Sequence, residues 1–172
     1  MRPLADSDRI HTFMRALGRE ERDEATAYLA GGATAVLLGW RATTIDVDLK
    51  LVPESDSLLR ALARLKNELR INVELASPAD FIPLPSGWEE RSAPIDRQGR
   101  VTYRHFDLYS QALAKLERGH ARDLDDVRAM LERGLVEPER LRVCFDEIEA
   151  NLYRFPAIDA LSFREAVERE LG

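Results

Sequence analysis

The sequence has a single cysteine and no long apolar run, and both shortages limit what the protein can be. Cys144 has no second cysteine to pair with, so no disulfide forms within the chain, a composition typical of a reducing cytoplasm. None of the three histidines lies at zinc-ligand spacing from that cysteine. No apolar stretch approaches the roughly 20 residues that span a bilayer, and the first residues lack a signal-peptide core. We therefore expect a cytoplasmic protein with no membrane partner.

Excess positive charge is also absent. The chain has 25 Lys and Arg against 31 Asp and Glu, a net charge of −6. Duplex binding usually needs a net positive face, so general DNA binding is not expected, although a local basic patch remains compatible with RNA contacts. With 172 residues, 45% of them hydrophobic and 33% charged, the composition is that of a globular domain able to bury a core.

Hydrophobic periodicity predicts a mixed α/β first part. The clearest strand covers 43–52, where Thr44, Asp46, Asp48 and Lys50 alternate with Ile45 and the other apolar residues. The pattern also predicts a helix over 6–18 ended by Gly18, a strand over 26–30, helices over 33–38 and 55–69, a strand over 71–75, a loop over 78–87 and a hairpin over 93–103.

Beyond residue 107 the pattern is helical throughout. The predicted helices, separated by glycine and proline, cover 108–117, 124–133, 141–152 and 163–171. The fold class predicted is α+β. A small mixed sheet with flanking helices occupies residues 1–106, and a helical C-terminal part that packs on it occupies residues 107–172.

Asp46 and Asp48 form the first candidate site. Their side chains share one strand face, with Cα atoms about 7 Å apart. Two carboxylates that converge repel each other unless one takes up a proton or a cation lies between them. Since Mg²⁺ favours one or two carboxylates together with phosphate oxygens, the pair predicts a magnesium site. The alternative is an exposed strand face with two solvated acids.

Gly31 and Gly32 lie between a predicted strand and a short predicted helix, ahead of the acidic pair. Glycines at such a junction let a phosphate approach the backbone, and the helix that follows presents free N–H groups to it. A tight turn without a ligand is the alternative. The order strand, Gly-Gly, helix and strand with Asp-x-Asp favours a phosphate site.

The segment YLAGGATAVLLGWRATTIDVDLKL resembles the signature of the minimal nucleotidyltransferase superfamily. More narrowly, it resembles the abortive-infection-type nucleotidyltransferase toxins and their uncharacterised relatives, which use a Gly-Gly version of the superfamily's Gly-Ser motif. A second segment, QALAKLERGHARDLDDVRAML, is similar to a helical element of the same toxins. The matching residues are Arg41, Thr43, Thr44, Asp46 and Asp48 in the first segment and Lys115, Arg122, Asp123 and Asp126 in the second.

The resemblance implies a role for most of these residues. Asp46 and Asp48 would hold Mg²⁺ and the triphosphate, and the backbone of Gly31 and Gly32 would hold phosphate. Further nucleotide contacts are implied for Arg41, Thr44 and Lys115. A surface arginine and a solvated lysine are the alternatives for the two basic residues. Asp123 is also explained as a helix-start charge, and Asp126 as the partner of Arg122 four residues earlier.

A third carboxylate is implied on a neighbouring strand, within an apolar–acid–apolar pattern. Glu74 in Val73-Glu74-Leu75 fits, either as a general base or as a further metal ligand. Asp80, in the proline-rich loop, fits less well. The alternative for Glu74 is an exposed strand acid.

The implied activity is metal-dependent transfer of a nucleoside monophosphate from an NTP to an RNA such as tRNA, or to a protein. The implied setting is a toxin–antitoxin pair, with a cognate antitoxin or toxin as partner. Gly32 stands where the superfamily has serine, and the chain is shorter than the larger toxins. A catalytically degenerate binding or antitoxin module and a small-molecule nucleotidyltransferase are therefore the alternatives. His105 and His120 are expected at the surface or as caps, and Cys144 in the core.

Overall fold

The computed structural model describes residues 1–172 and divides them into two compact units. The first, called the sheet unit, comprises Met1–Ser77 and Ser92–His105. The second, called the helical unit, comprises Pro78–Arg91 and Phe106–Gly172. The predicted α+β class is confirmed, because a five-stranded mixed sheet and eight α-helices make up the fold. None of these helices combines the length and the apolar character that crossing a membrane requires.

The sheet unit is built on strands in the order β3-β2-β1-β5-β4. Strand β1 runs antiparallel to β2 and parallel to β5, β2 runs parallel to β3, and β4 and β5 form an antiparallel hairpin. The elements are α1 Ser7–Glu20, β1 Ala25–Ala30, α2 Gly32–Leu38, β2 Val47–Val52, α3 Asp56–Glu68, β3 Val73–Leu75, β4 Pro94–Gln98 and β5 Val101–His105.

One face of the sheet forms the core of this unit. Alternate strand residues such as Leu29, Leu49 and Tyr103 are fully buried against apolar residues of the helices, among them Phe13 and Leu62. The opposite face is polar, because the intervening residues of the same strands point away from that core. Its members on neighbouring strands are Thr26 and Tyr28 on β1, Asp48 and Lys50 on β2, Glu74 on β3, and Thr102 and Arg104 on β5.

The predicted strand over 43–52 begins later than expected. Strand β2 starts at Val47, so Asp46 lies just before it. Thr44 instead forms an isolated two-residue bridge with Ala5, with N–H···O distances of 2.8 and 2.9 Å. This bridge reverses the expected sides at the start of the segment: Thr44 is buried, whereas Ile45, predicted to face inward, is 58% exposed.

Gly18 does not end the first helix, contrary to the prediction. Helix α1 continues to Glu20, and Gly18 lies within it, against the hairpin of β4 and β5. A Cβ atom at this position would lie 2.6 Å from the Cβ atom of Gln98, closer than real side chains approach. The glycine therefore allows close packing rather than helix termination.

The helical unit contains the predicted C-terminal helices together with the segment 78–91. A buried stripe of Leu141, Phe145 and Ile148 is core, as expected, and Phe145 packs edge-on against Phe163 with ring centroids 4.9 Å apart. Cys144 is buried here too. The helices are α4 Trp88–Arg91, α5 Leu108–Arg118, α6 Ala121–Glu132, α7 Pro138–Glu149 and α8 Ala160–Leu171.

Candidate active site

The turn between β1 and α2 needs glycine at both positions. Gly31 has φ +63° and ψ −133°, a backbone conformation that residues other than glycine avoid. A Cβ atom on it would lie 2.7 Å from Oδ2 of Asp48. A Cβ atom on Gly32 would overlap the hydroxyl of Thr44. The missing side chains therefore let Asp48 and Thr44 lie directly against the backbone of the turn.

Asp48 is placed at this turn by the sheet. On one side it pairs with Ala30, the last residue of β1, and on the other with Glu74 in the parallel strand β3. Register partners in neighbouring strands present their side chains on the same face, so Asp48 and Glu74 share the polar face. Asp48 is half-buried and Glu74 is exposed. The sheet thus brings together the Gly-Gly turn and two of the three predicted acids.

Asp46 is held from the side of β3. The side-chain amide of Asn72 donates to Oδ1 of Asp46, and the Asn72 carbonyl accepts from the Val47 N–H at 2.8 Å. The second carboxylate oxygen of Asp46 takes part in no hydrogen bond or ion pair. Sequence reasoning missed Asn72, although a polar residue directly before the strand that pairs with the Asp-x-Asp strand was a usable signal.

The donor set suits magnesium better than zinc or calcium. No group of three or more His, Cys, Asp or Glu side chains gathers around one point. Calcium takes six to eight oxygen ligands and structural zinc takes four protein ligands, whereas Mg²⁺ is held by one or two carboxylates plus water and phosphate oxygens. Asp46 and Asp48 flank Val47 and supply two carboxylates, so binding of Mg²⁺ by this pair stays a prediction.

Glu74 and Asp80, the two candidates for the third carboxylate, fall in different units. Glu74 lies on β3 next to Asp48, makes no hydrogen bond or ion pair, and remains the candidate within the sheet. Asp80 lies in a short 3₁₀ turn, Pro78–Asp80, in the helical unit. The catalytic role of Glu74 stays a prediction.

Thr44 and Arg41, the other predicted nucleotide contacts of the sheet unit, have structural contacts as well. The Thr44 hydroxyl donates to the Asp46 carbonyl at 3.0 Å, so it orders the segment between the turn and β2. Arg41 is half-buried, and its backbone N–H donates to the Ala35 carbonyl at 3.2 Å, just beyond Gly39, which ends α2 at φ +96°. Contact of either residue with a nucleotide remains a prediction.

His105 is buried, contrary to the expectation that it lies at the surface. Its Nδ1 lies 3.1 Å from the hydroxyl of Thr34, and that hydroxyl donates to the Leu29 carbonyl at 3.2 Å. With the hydroxyl proton directed to Leu29, a hydrogen bond between Thr34 and His105 requires the tautomer protonated at Nδ1. Burial lowers the pKa of His105 from 6.5 to about 4. This chain of hydrogen bonds ties α2, and with it the Gly-Gly turn, to β1 and β5.

We expect the free energy of unfolding to fall as the pH drops from 6.5 towards 4, partly through His105. Its lowered pKa in the folded state means that the unfolded chain binds the proton more readily in that window, while above pH 6.5 the contribution is complete. The loss attributable to it is at most about 3 kcal/mol. Chemical denaturation of the wild type and of His105→Asn, which keeps a donor but does not titrate, checks this. Equal slopes over the window would refute it.

Lys115 lies in the helical unit and is buried rather than solvated. Its Nζ lies 2.7 Å from Oδ2 of Asp126 and 3.7 Å from Oδ1 of Asp123. The Asp123 carboxylate also accepts hydrogen bonds from Nε and Nη2 of Arg118. The expected pair between Asp126 and Arg122 does not form, because Asp126 lies on the buried side of α6 while Arg122 is exposed. The second matched segment is thus a buried network of charges.

Removing Asp126 should destabilise the helical unit. In Asp126→Ala, the Lys115 ammonium stays buried with only the more distant Asp123, so we expect a loss of about 2 kcal/mol, somewhat below the usual cost of breaking a buried ion pair. The double variant Lys115→Met/Asp126→Leu should recover most of it. Urea denaturation checks both. A double variant no more stable than Asp126→Ala would contradict the ion-pair explanation.

Comparison with known proteins gives one finding. A family model described as "Nucleotidyltransferase of unknown function (DUF6036)" matches residues 8–166, which include the Gly-Gly turn, the acids of the sheet unit and Lys115. No curated protein and no solved structure gives a significant match.

Proposed function

The chain belongs to this family of nucleotidyltransferases of unknown function, and we propose that it transfers a nucleoside monophosphate from an NTP to an RNA or protein acceptor. The observation that carries the proposal is the contact between Asp48 and the Gly31 backbone, since it places a carboxylate beside a turn that a phosphate can approach. In this proposal the metal site and the phosphate site are one site.

In the proposed reaction, the site residues of the sheet unit have distinct roles. Asp46 and Asp48 would hold Mg²⁺, which when bound neutralises charge on the phosphates and on the leaving pyrophosphate. The Gly31–Gly32 backbone holds phosphate oxygens. Asn72 orients Asp46 by its amide hydrogen bond, so that one carboxylate oxygen remains available.

The transfer step requires a group that takes up a proton. An acceptor oxygen attacks the α-phosphorus, a new P–O bond forms, the bond to pyrophosphate breaks, and the acceptor hydroxyl loses its proton. Glu74 is our candidate for the base, because it shares the polar face with Asp48 and is exposed. The nucleotide contact implied for Lys115, which lies in the helical unit, stays a prediction.

The biological setting belongs to the same proposal. The resemblance to abortive-infection-type toxins supports a toxin–antitoxin pair and a tRNA or protein acceptor. The competing function is a catalytically degenerate module, and it is favoured by one observation: no third acid joins Asp46 and Asp48 in a single group.

Transfer of an α-phosphate label separates the two functions. The protein is incubated with Mg²⁺ and each NTP, labelled on either the α- or the γ-phosphate, alone and with total tRNA. We expect stable label on tRNA or on the protein itself from the α-position only, and none in an Asp48→Asn variant. Nucleotide binding without transfer to any acceptor would favour the degenerate module, and label from the γ-position would indicate a kinase instead.

A further inference from the structure

A row of three side chains crosses the polar face of the sheet next to Asp48. Tyr28 on β1 pairs with Lys50 on β2 and with Arg104 on β5. Strands lie about 4.8 Å apart, so the Cα atoms of Lys50 and Arg104 lie about 10 Å from each other, with that of Tyr28 between them. Lys50 follows Asp48 by two residues on the same strand face, which places their Cα atoms about 7 Å apart.

The two cations differ in what holds them. Arg104 is anchored, because its Nη1 donates to the Ser92 carbonyl at 3.0 Å. Lys50 makes no hydrogen bond and no ion pair, although Asp48 and Glu74 lie on the same face. Its side chain is nevertheless partly buried. A lysine whose stem packs on the sheet and whose ammonium has no anionic partner in the protein presents a positive charge that a ligand can use.

We propose that Lys50 binds the phosphate chain of the nucleotide, an inference that rests on the proposed function and assigns a residue to it. Lys50 lies two residues from Asp48 on the same strand face, so its side chain can extend towards a phosphate group held at Asp48. Lysine acts as a point charge towards phosphate and pairs with whichever oxygens the metal leaves uncovered. The partner that Lys50 lacks in the protein is thus supplied by the substrate.

The same placement explains why Lys50 does not simply neutralise the acids. An ammonium bound to Asp48 would compete with Mg²⁺ for the same oxygens. Because the Lys50 ammonium lies on the same face but is not bonded to the acids, it is available to the phosphates. The acids then bind the metal, and Lys50 binds the polyphosphate. The expected consequence is that Lys50 contributes to affinity for any ligand with a phosphate chain, whatever its base.

Binding measurements on variants test this. We expect Lys50→Gln to raise the Kd for Mg²⁺–NTP about tenfold or more, the loss of one charge-assisted hydrogen bond. The same factor should apply to Mg²⁺–tripolyphosphate, which has no base or ribose. Lys50→Arg should recover most of the affinity. Lys66→Gln is the matched control, since Lys66 on α3 is also half-buried and its side chain makes no hydrogen bond or ion pair, and the variant should bind within twofold of the wild type.

Lysine acetylation of the unmutated protein gives a second readout. The chain contains three lysines, of which Lys115 is buried in its ion pairs and Lys50 and Lys66 are partly exposed. Mass spectrometry after brief treatment with acetic anhydride should show that saturating Mg²⁺–NTP protects Lys50 and leaves Lys66 unchanged.

The outcomes separate this inference from the proposed function. If Lys50→Gln binds NTP as tightly as the wild type, or Lys50 reacts equally with and without NTP, while Asp48→Asn no longer binds, the site stands and the role of Lys50 is overturned. If the folded wild type binds no NTP and no tripolyphosphate, both are overturned.

Discussion

Asp48→Asn should abolish metal-dependent nucleotide binding, with affinity for Mg²⁺–NTP falling at least about 100-fold. The substitution changes almost no volume, but the amide carries no charge and presents a single oxygen to a cation. Asp48 is also the acid that lies against the Gly-Gly turn, so in the proposed site its charge would link the metal to the phosphate. Asp46→Asn should act in the same direction, since its free carboxylate oxygen is the second expected ligand.

Asp56→Asn is the control for this result. Asp56 is exposed in the first turn of α3, also in the sheet unit, and its replacement removes only a favourable interaction with the helix dipole, at most about 1 kcal/mol. Titration calorimetry with Mg²⁺–NTP, together with electron paramagnetic resonance of bound Mn²⁺, measures nucleotide and metal separately. Unchanged Mn²⁺ binding in both Asp46→Asn and Asp48→Asn would show that the metal site lies elsewhere.

Gly31→Ala should damage both stability and binding. The new methyl group would occupy a conformation with φ +63° and ψ −133°, at a cost of about 3 kcal/mol, and would lie 2.7 Å from a carboxylate oxygen of Asp48. Asp48 must move, or the turn must change its backbone conformation. In either case the phosphate approach closes, and we expect Mg²⁺–NTP binding to fall below detection even at temperatures where the variant is folded.

Gly134→Ala separates backbone strain from the loss of the site. Gly134 has a similar φ of +69°, but a Cβ atom there would meet nothing within 4 Å. Only the left-handed strain remains, so we expect a loss of about 1 kcal/mol in the free energy of unfolding and unchanged nucleotide affinity. Urea denaturation and calorimetry on both variants provide the comparison. Equal loss of binding in the two would mean that stability alone explains the Gly31 result.

Local sequence signals were sufficient for most of the fold. Short-range periodicity, together with glycine and proline at element ends, predicted strand β1, the glycine junction, α2 and the later helices. The structure has these elements close to the expected positions. The errors came from long-range contacts. The strand over 43–52 was predicted to start too early because the bridge between Thr44 and Ala5, residues far apart in sequence, reverses the alternation before Val47. The predicted helix end at Gly18 was wrong because that glycine serves close packing against the β4–β5 hairpin.

In the candidate site, too, local signals predicted some features, and contacts between residues distant in sequence determine the others. The order of Gly-Gly and Asp-x-Asp predicts a phosphate and metal site, which stays a prediction, and the sheet register places Asp48 at the turn and Glu74 next to it. Asn72 could have been singled out as a polar residue directly before a predicted strand, but its bond to Asp46 and the bond from His105 to Thr34 depend on strand pairing. A single sequence does not specify which strands become neighbours.

The central claim is that the sheet unit holds a metal-dependent nucleotide site, and titration of the wild type with each of the four NTPs tests it most directly. The account predicts saturable binding of at least one NTP with Mg²⁺ present and a large loss of that binding when Mg²⁺ is removed by a chelator. Failure of all four NTPs to bind to the folded protein in the presence of Mg²⁺, or binding of equal strength with and without the metal, would contradict it.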